Sequence, residues 1–238
     1  MDHYTALNLA AGIWFFTAWI GYTQFARRQA KTSHCLSSVL HIYRKNWMLA
    51  MLKRENRIAD TALIASLERN ASFLASTAIL IIAGLVTIMA SIDKVYLTLS
   101  TLPFAHEDMS AYHLQLKVVL LLTVYVYAFF SLTWAMRQYG FSSIVLGAAP
   151  GPYDTDIAQI ERNRYAVSTA KIVDQAGHSY NYGLRAYYFS LAILPWLFDP
   201  WVFIGSTALV VVILYRREFH SRTLRILLRE VKKNEASL

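Results

Sequence analysis

Three apolar runs of about twenty residues, at 7–26, 71–91 and 118–136, most strongly constrain what this chain can fold into. A bilayer core of about 30 Å takes roughly 20 helical residues to cross, and a helix satisfies its own backbone hydrogen bonds there. Hydrophobic residues make up 56% of the chain and charged residues only 16%, against about 25% charged in an ordinary soluble domain. The runs therefore predict an all-α, multi-pass membrane protein with a single integral membrane domain.

Two further apolar runs follow, at 182–198 and 201–216. Pro200 separates them, and proline ends a helix because it lacks a backbone donor. We expect a tight hairpin at a membrane face, with Trp196 and Trp201 as interfacial tryptophans. The sequence thus predicts five transmembrane helices.

The distribution of basic residues predicts the orientation of these helices, because lysine- and arginine-rich loops stay on the cytoplasmic side. Segments 27–70, 137–180 and 216–238 hold 9, 4 and 7 basic residues, together 20 of the 23 in the chain. Five spans with the N-terminus outside and the C-terminus inside place all three segments in the cytoplasm. A four-span alternative merges 182–216 into one re-entrant hairpin, but it leaves the basic tail outside.

The cytoplasmic segments themselves have helical patterns. Apolar residues recur every three to four positions at Leu40, Tyr43, Trp47 and Met51, with basic residues elsewhere on the same helix. We expect this amphipathic helix either to lie on the anionic cytoplasmic leaflet or to pack on neighbouring inner helices. A second basic amphipathic helix is predicted at 217–234, and long cytoplasmic extensions are predicted on the second and fourth spans.

Short similarities between the two halves suggest an internal duplication. Asn56-Arg-Ile-Ala59 opens the second long helix and Asn163-Arg-Tyr-Ala166 opens the fourth. The repeat halves would be 7–91 and 118–198, in the same orientation, followed by the fifth span at 201–216; parallel repeats of this kind occur in transporters. The alternative is chance similarity between helices of biased composition.

Arg185 is the only charged residue in the interior of a predicted span. An intramembrane charge is costly and by default marks a functional or pairing position. On a helix it shares one face with His178, Asn181 and Tyr188. This polar stripe predicts an anion-attracting or gating lining at the cytoplasmic side.

The structural alternative for Arg185 is a side chain that extends to the interface or pairs with a carboxylate. The candidate partners are Glu68 and Asp174, either of which would lock two helices together.

Arg57 and Arg164 occupy equivalent places in the two halves. In a symmetric oligomer they could form rings of positive charge at an inner vestibule, which favour anions. The simpler interpretation is local pairing of Arg57 with Asp60 and of Arg164 with Glu161, each three residues apart.

No catalytic motif is present in the sequence. The chain lacks a Gly-x-Ser-x-Gly elbow, a phosphate-binding loop and a His-Glu-x-x-His zinc motif. The single cysteine, Cys35, excludes an internal disulfide and disfavours a zinc site. We therefore expect no enzymatic activity, no cofactor, no metal site and no nucleic-acid partner.

Four stretches together resemble a known family. They are Tyr43-Arg-Lys-Asn-Trp-Met48, Arg54-Glu-Asn-Arg-Ile58, Phe73-Leu-Ala-Ser-Thr-Ala-Ile-Leu-Ile-Ile-Ala-Gly84 and Asn181-Tyr-Gly-Leu-Arg-Ala-Tyr-Tyr-Phe189. They are similar to the bacterial membrane family catalogued as domain of unknown function 599, over approximately residues 10 to 220. The resemblance implies a multi-pass membrane protein without an assigned activity, and it marks Arg54, Arg57, Arg185, Tyr187 and Tyr188.

Two functions remain open from the sequence. The first is a channel or transporter for small ions or solutes, homo-oligomeric because five spans hardly enclose a pathway alone, with anion preference from the cytoplasmic basic residues. The second is a structural or assembly subunit of a larger membrane complex with no transport activity of its own.

Overall fold

The computed structural model describes residues 3–33, 35–101, 110–154 and 156–236, and in these residues all regular secondary structure is helical. The all-α prediction is therefore confirmed for this part of the chain. The helices are α1 (His3–Thr32), α2 (Leu36–Met51), α3 (Ile58–Ala90), α4 (Ile92–Ser100), α5 (Ala111–Gly147), α6 (Gln159–Ile193), α7 (Pro200–Phe219) and α8 (Arg222–Ala236), with a 3-10 turn at Leu194–Leu197 between α6 and α7.

By length and composition, α3 and α5 are long and apolar enough to cross a membrane. They contain 33 and 37 residues, so at about 1.5 Å per residue each is on the order of 50 Å long. Both exceed the hydrocarbon thickness of about 30 Å. The surplus length of α3 agrees with the predicted extension of the second span, whereas the sequence predicts no extension on the third span, α5.

Helix α5 packs along both α3 and α6, and its contact with α6 is close. A Cβ atom added to Gly183 of α6 would lie 2.5 Å from Cγ of Leu132 and 3.2 Å from the carbonyl oxygen of Ala128, both on α5. Only a glycine permits this approach, and small residues allow membrane helices to pack backbone against backbone. Leu132 is fully buried there, so the interface between α5 and α6 is closed at this level.

Helix α7 packs mainly on α1, through an aromatic cluster at one end of the bundle. Phe15 of α1 contacts both Phe189 and Phe203, with ring centroids 5.8 and 5.5 Å apart. The Trp196 ring stacks on Phe203 at 4.4 Å. These aromatic contacts fix the position of α7 after the tight turn that begins at Leu194.

Trp196 does not face outward as an interfacial tryptophan would, whereas Trp201 is 64% exposed and its interfacial position stays a prediction. Trp196 is 8% exposed; its indole N–H donates to Oδ1 of Asn8 at 2.8 Å, and its carbonyl oxygen accepts from the buried ammonium of Lys117 at 2.6 Å. The 3-10 turn directs the side chain inward, where Asn8 accepts from its indole N–H. Asp199 caps the start of α7, because its side chain accepts from the backbone N–H groups of residues 201 and 202.

Helix α8 packs on α2, and α2 packs on the bundle. Val39 of α2 is fully buried against Leu224 and Val231 of α8, and Met48 and Met51 are buried in a second cluster with residues of α3, α5 and α6. Of the two alternatives for the amphipathic helix at 36–51, packing on inner helices is the one observed. The predicted basic tail helix is present as α8, beginning at Arg222.

The two halves of the chain pack differently. Helix α5 lies along α6, whereas its counterpart in the proposed repeat, α1, packs on α7. Residues 148–154 and 156–158, at the position that α2 holds in the first half, do not form a helix. The internal duplication therefore stays a prediction.

Candidate functional site

A polar cavity of about 540 Å³ lies where the end of α1, the start of α2 and the end of α7 meet the middle of α6. Its charged and amide lining residues are Arg27, His41, Gln138, Asp174, Gln175, His178, Asn181, Arg185 and Glu218. Three of the four residues of the predicted stripe, His178, Asn181 and Arg185, belong to this lining. Such a group of polar side chains within an apolar bundle is a candidate binding site.

Arg185 forms an ion pair with Glu218 across one wall of the cavity. Its Nη2 donates to Oε2 at 2.8 Å and to Oε1 at 3.0 Å, and the two side chains are only 12% and 16% exposed. The Tyr22 hydroxyl donates to the same Oε2 at 3.0 Å, and its ring centroid lies 5.5 Å from the guanidinium carbon of Arg185. The pair thus joins α6 to α7, with Tyr22 of α1 as a third member.

The predicted partners of Arg185, Glu68 and Asp174, are both wrong. Asp174 is three helical turns earlier on the same helix, where the Arg185 side chain does not reach it. Glu68 lies in a groove between α3 and α5, away from this cavity. The antiparallel α7 instead brings Glu218 alongside Arg185.

Asp174 holds a second charged cluster on the opposite wall. Its Oδ1 accepts from Nη1 of Arg44 at 2.6 Å, and its Oδ2 contacts Nδ1 of His41. The Asp174 side chain is 11% exposed, so two donors from α2 compensate a largely buried carboxylate. This cluster fixes α2 against α6 and gives the cavity its second wall.

His178 lies between these two clusters. Partial desolvation lowers the pKa of its imidazole below the ordinary value; Asp174 opposes this shift, whereas Arg44, Arg185 and Arg27 reinforce it. The neutral form of His178 is therefore favoured near neutral pH. Asn181, one turn further along α6, is exposed within the cavity lining.

Tyr188, the fourth residue of the predicted polar stripe, does not line the cavity with the other three. Its hydroxyl accepts from Nη1 of Arg217 at 2.5 Å, and Arg217 also lies over its ring. Tyr188 is absent from the cavity lining. It connects α6 to α7 beside the cavity, because α7 packs against that side of the helix.

Arg57 caps the end of α5 and does not pair with Asp60. Its guanidinium donates to the carbonyl oxygens of Ala149 at 2.7 Å and Pro150 at 2.5 Å. Cations at a helix C-terminus satisfy carbonyl groups that have no partner within the helix. The predicted Arg57–Asp60 pair is wrong because the Arg57 guanidinium donates to these carbonyl groups instead.

Asp60 has different partners. It is 2% exposed and accepts from Nη1 of Arg54 at 2.5 Å and from the Trp47 indole N–H at 2.6 Å. This cluster ties the end of α2 to the start of α3.

Arg164 and Glu161 are both exposed on α6, and no ion pair joins them within the described part of the chain. The predicted Arg164–Glu161 pair is thus not formed. Neither Arg57 nor Arg164 lines the polar cavity. A ring made by several copies of these residues stays a prediction.

Sequence reasoning missed Glu218, Tyr22, His41 and Arg44. Glu218 follows Arg216 and Arg217 at the end of the fifth apolar run. An acidic residue at that position could have indicated a partner for Arg185. His41 and Arg44 are one turn apart on α2, so their spacing alone could have indicated a shared target. In the described residues no three His, Cys, Asp or Glu side chains are grouped so as to hold a metal ion.

These features define a class: an all-helical protein in which at least two helices can cross a membrane and a polar, charge-paired cavity interrupts the bundle. The chain belongs to the family described as protein of unknown function, DUF599, which matches residues 10–223. The predicted family membership is thereby confirmed. No curated protein shows significant similarity to the chain. No solved structure does so either.

Proposed function

We propose that this protein is an oligomeric bacterial inner-membrane channel or transporter for small ions or solutes, and that its cargo binds in the polar cavity. The observation that carries this proposal is the cavity itself, about 540 Å³ in volume with charged groups on two walls. Arg185 is the one charged residue of the described lining that falls within a predicted span, and intramembrane charges that face a cavity are typical of transport pathways. A site of this size accommodates a small solute together with water.

The charges around the cavity support a preference for anions. Arg27, Arg44 and Arg185 stand against two carboxylates, Asp174 and Glu218, and His178 is uncharged in its favoured form. One positive charge is left over. The Arg185 guanidinium uses only Nη2 for Glu218, and no other hydrogen bond from it to a described residue is present, so further donors of a cavity-lining cation are available to a monovalent anion.

Five spans, with the N-terminus outside, form part of the same proposal. Besides α3 and α5, helices α1, α6 and α7 contain 30, 35 and 20 residues, each sufficient to cross a bilayer. Their outer surfaces carry exposed apolar side chains, which require lipid or protein cover. These side chains include Leu9, Ile13, Phe16 and Ile20 on α1 and Trp201, Val202, Leu209 and Val212 on α7.

The close packing of Leu132 on Gly183 supports the oligomeric part of the proposal. It leaves no open route between α5 and α6 at that level. Conduction then needs either a movement of these helices or a pathway between copies.

The proposal is tested by anion flux in proteoliposomes, with chloride and formate as probes. We expect flux from wild-type protein and from Arg69→Gln, which changes an exposed arginine of α3 outside the cavity. The double variant Arg185→Gln with Glu218→Gln removes the ion pair without leaving an unpaired charge, so it should assemble yet lose most of the flux. Wild-type-like flux from correctly assembled double variant would contradict a pathway through this cavity.

An assembly subunit is the second candidate function. Helix α8 supports it, because Arg222, Arg225, Arg229 and Ile226 are exposed on a helix whose other face is already packed on α2. Such a surface suits an acidic partner protein. Three results together would favour this function: stoichiometric co-purification with unrelated subunits, loss of that co-purification when the three arginines are changed to glutamate, and no anion flux from the wild-type protein.

A further inference from the structure

A second surface feature, outside the polar cavity, is an open groove between α3 and α5, the two helices that are long and apolar enough to cross a membrane. Its volume is about 710 Å³. Glu68 of α3 and Arg137 of α5 lie within it, together with exposed aromatic and aliphatic side chains of α5. The groove is therefore amphipathic.

The two charges mark a boundary along both helices. Arg69 and Asn70 follow Glu68 before the apolar part of α3 begins at Ala71, and Arg137 directly follows the apolar run 118–136 of α5. A change from apolar to charged residues at the same level on two adjacent helices is the pattern of a membrane–water interface. The charged part of the groove thus lies at headgroup depth.

Exposed aromatic side chains continue the groove toward the apolar part of α5. Phe130 is 66% exposed and Trp134, one turn away, is 50% exposed. Large apolar side chains exposed side by side in this way mark a contact surface. At the bilayer depth of the run 118–136 the contacting material is an acyl chain.

Arg137 and Glu68 do not neutralise each other. No ion pair joins them in the described residues, and the Arg137 guanidinium carbon is held 5.6 Å from the ring centroid of Phe141. Arg137 is exposed, and Glu68 is half-buried. An open cation and an open carboxylate in one groove complement a ligand with a phosphate and an ammonium group a few bonds apart.

We propose that this groove is a binding site for a phospholipid with a phosphoethanolamine headgroup. Arg137 binds the phosphate, Glu68 binds the ammonium group, and one acyl chain lies along Trp134 and Phe130. A lipid with an anionic glycerol headgroup satisfies Arg137 but leaves Glu68 without a cation and close to negative charge. This site requires only that α3 and α5 cross the membrane and is independent of transport through the cavity.

The test measures tryptophan quenching in the full chain reconstituted into bilayers with brominated acyl chains on either phosphatidylethanolamine or phosphatidylglycerol. The Trp134→Phe variant identifies the contribution of Trp134 to the fluorescence. We expect the Trp134 signal to be quenched at a several-fold lower fraction of brominated phosphatidylethanolamine than of brominated phosphatidylglycerol. Glu68→Gln should abolish this preference, and Arg137→Gln should weaken quenching by both lipids.

Arg69→Gln is the matched control, because Arg69 is an exposed neighbour of Glu68 that does not line the groove. It should behave like wild type. Equal quenching by the two lipids in wild-type protein would mean a non-selective lipid annulus and would overturn the proposal. A headgroup preference that survives Glu68→Gln would also overturn it. Protection of Trp134 from quenching that increases with protein concentration would mean that a second copy of the chain covers the groove, and would overturn it as well. If Arg137→Gln folds poorly, the Glu68→Gln comparison still decides the headgroup preference.

Discussion

The Arg185 guanidinium and the Glu218 carboxylate, 33 positions apart in sequence, meet at 2.8 Å and fasten α6 to α7 beside the polar cavity. Both side chains are largely withdrawn from water, so each depends on the other for compensation. The pair is consequently at once part of the cavity lining and part of the structural link between two helices. The flux test of the double variant separates these two roles.

Glu218→Gln alone should destabilise the protein by about 1–3 kcal/mol, because Arg185 would keep its charge without a carboxylate partner. The bond from the Tyr22 hydroxyl would also weaken. The measurement is thermal unfolding in detergent. Glu230→Gln, which changes an exposed residue of α8, is the control and should leave the melting temperature unchanged. A Glu218→Gln protein as stable as the control would contradict the importance of the pair for folding.

Gly183→Ala should destabilise the contact between α5 and α6 by about 1–3 kcal/mol, since the added methyl group overlaps Leu132. Gly205→Ala on α7 is the matched control, because nothing lies within 4 Å of its added Cβ. That substitution should be neutral or stabilising by up to about 1 kcal/mol, owing to the higher helix propensity of alanine. Denaturant unfolding monitored by circular dichroism compares the two; equal effects would argue against the close approach.

His178 should titrate below the ordinary histidine pKa of about 6.5, because desolvation and the arginines Arg44, Arg185 and Arg27 disfavour its charged form more than Asp174 favours it. A depressed pKa in the folded state means that the unfolded chain binds more protons. The free energy of unfolding should therefore increase as pH rises through the window between the folded value and about 6.5.

The measurement for His178 is the pH dependence of its imidazole NMR signal, assigned by its loss in His178→Gln. His41 and Glu218 also line the cavity, so His41→Gln and Glu218→Gln spectra are needed to attribute the transition. A His178 midpoint at or above 6.5 would contradict the expected desolvation.

Arg57→Gln should destabilise the protein by about 1–3 kcal/mol, because the carbonyl groups of Ala149 and Pro150 lose a charged donor. Arg57→Lys should restore only part of this stability, since a single ammonium group does not reproduce the planar guanidinium that reaches two carbonyls. Arg164→Gln, which changes an exposed arginine of α6, is the control for stability. Hydrogen exchange at the end of α5 provides the local readout: we expect the fastest exchange in Arg57→Gln, a smaller increase in Arg57→Lys and no change in Arg164→Gln.

The helices could be predicted from the sequence because apolar run length and periodicity are local properties. Arg185 could also be singled out, since one charge within an apolar run requires no knowledge of packing. Its partner could not be identified, because the contact with Glu218 depends on how α6 and α7 are rotated about their axes. The same applies to Arg57, whose predicted partner, Asp60, instead accepts hydrogen bonds from Trp47 and Arg54.

Trp196 shows that the direction of a side chain also could not be predicted from the sequence. A tryptophan beside a proline-containing hairpin fits an interfacial position by composition, yet the 3-10 turn at Leu194–Leu197 turns its ring into the bundle. Asp174 likewise was proposed as a partner for Arg185, whereas α2 supplies its two donors. Inter-helix geometry, not residue type, decides these contacts.

The packing of α8 on α2 has a practical consequence for experiments. Helix α2 provides Ser37, Ser38 and His41 to the cavity wall, and its apolar face at Val39 is covered by Leu224 and Val231 of α8. Removal of α8 would therefore uncover Val39 and disturb the cavity wall that α2 provides, although α8 itself does not line the cavity. Affinity tags and fluorescent reporters at this end need a flexible spacer, and ligand measurements should be repeated after the tag has been cleaved.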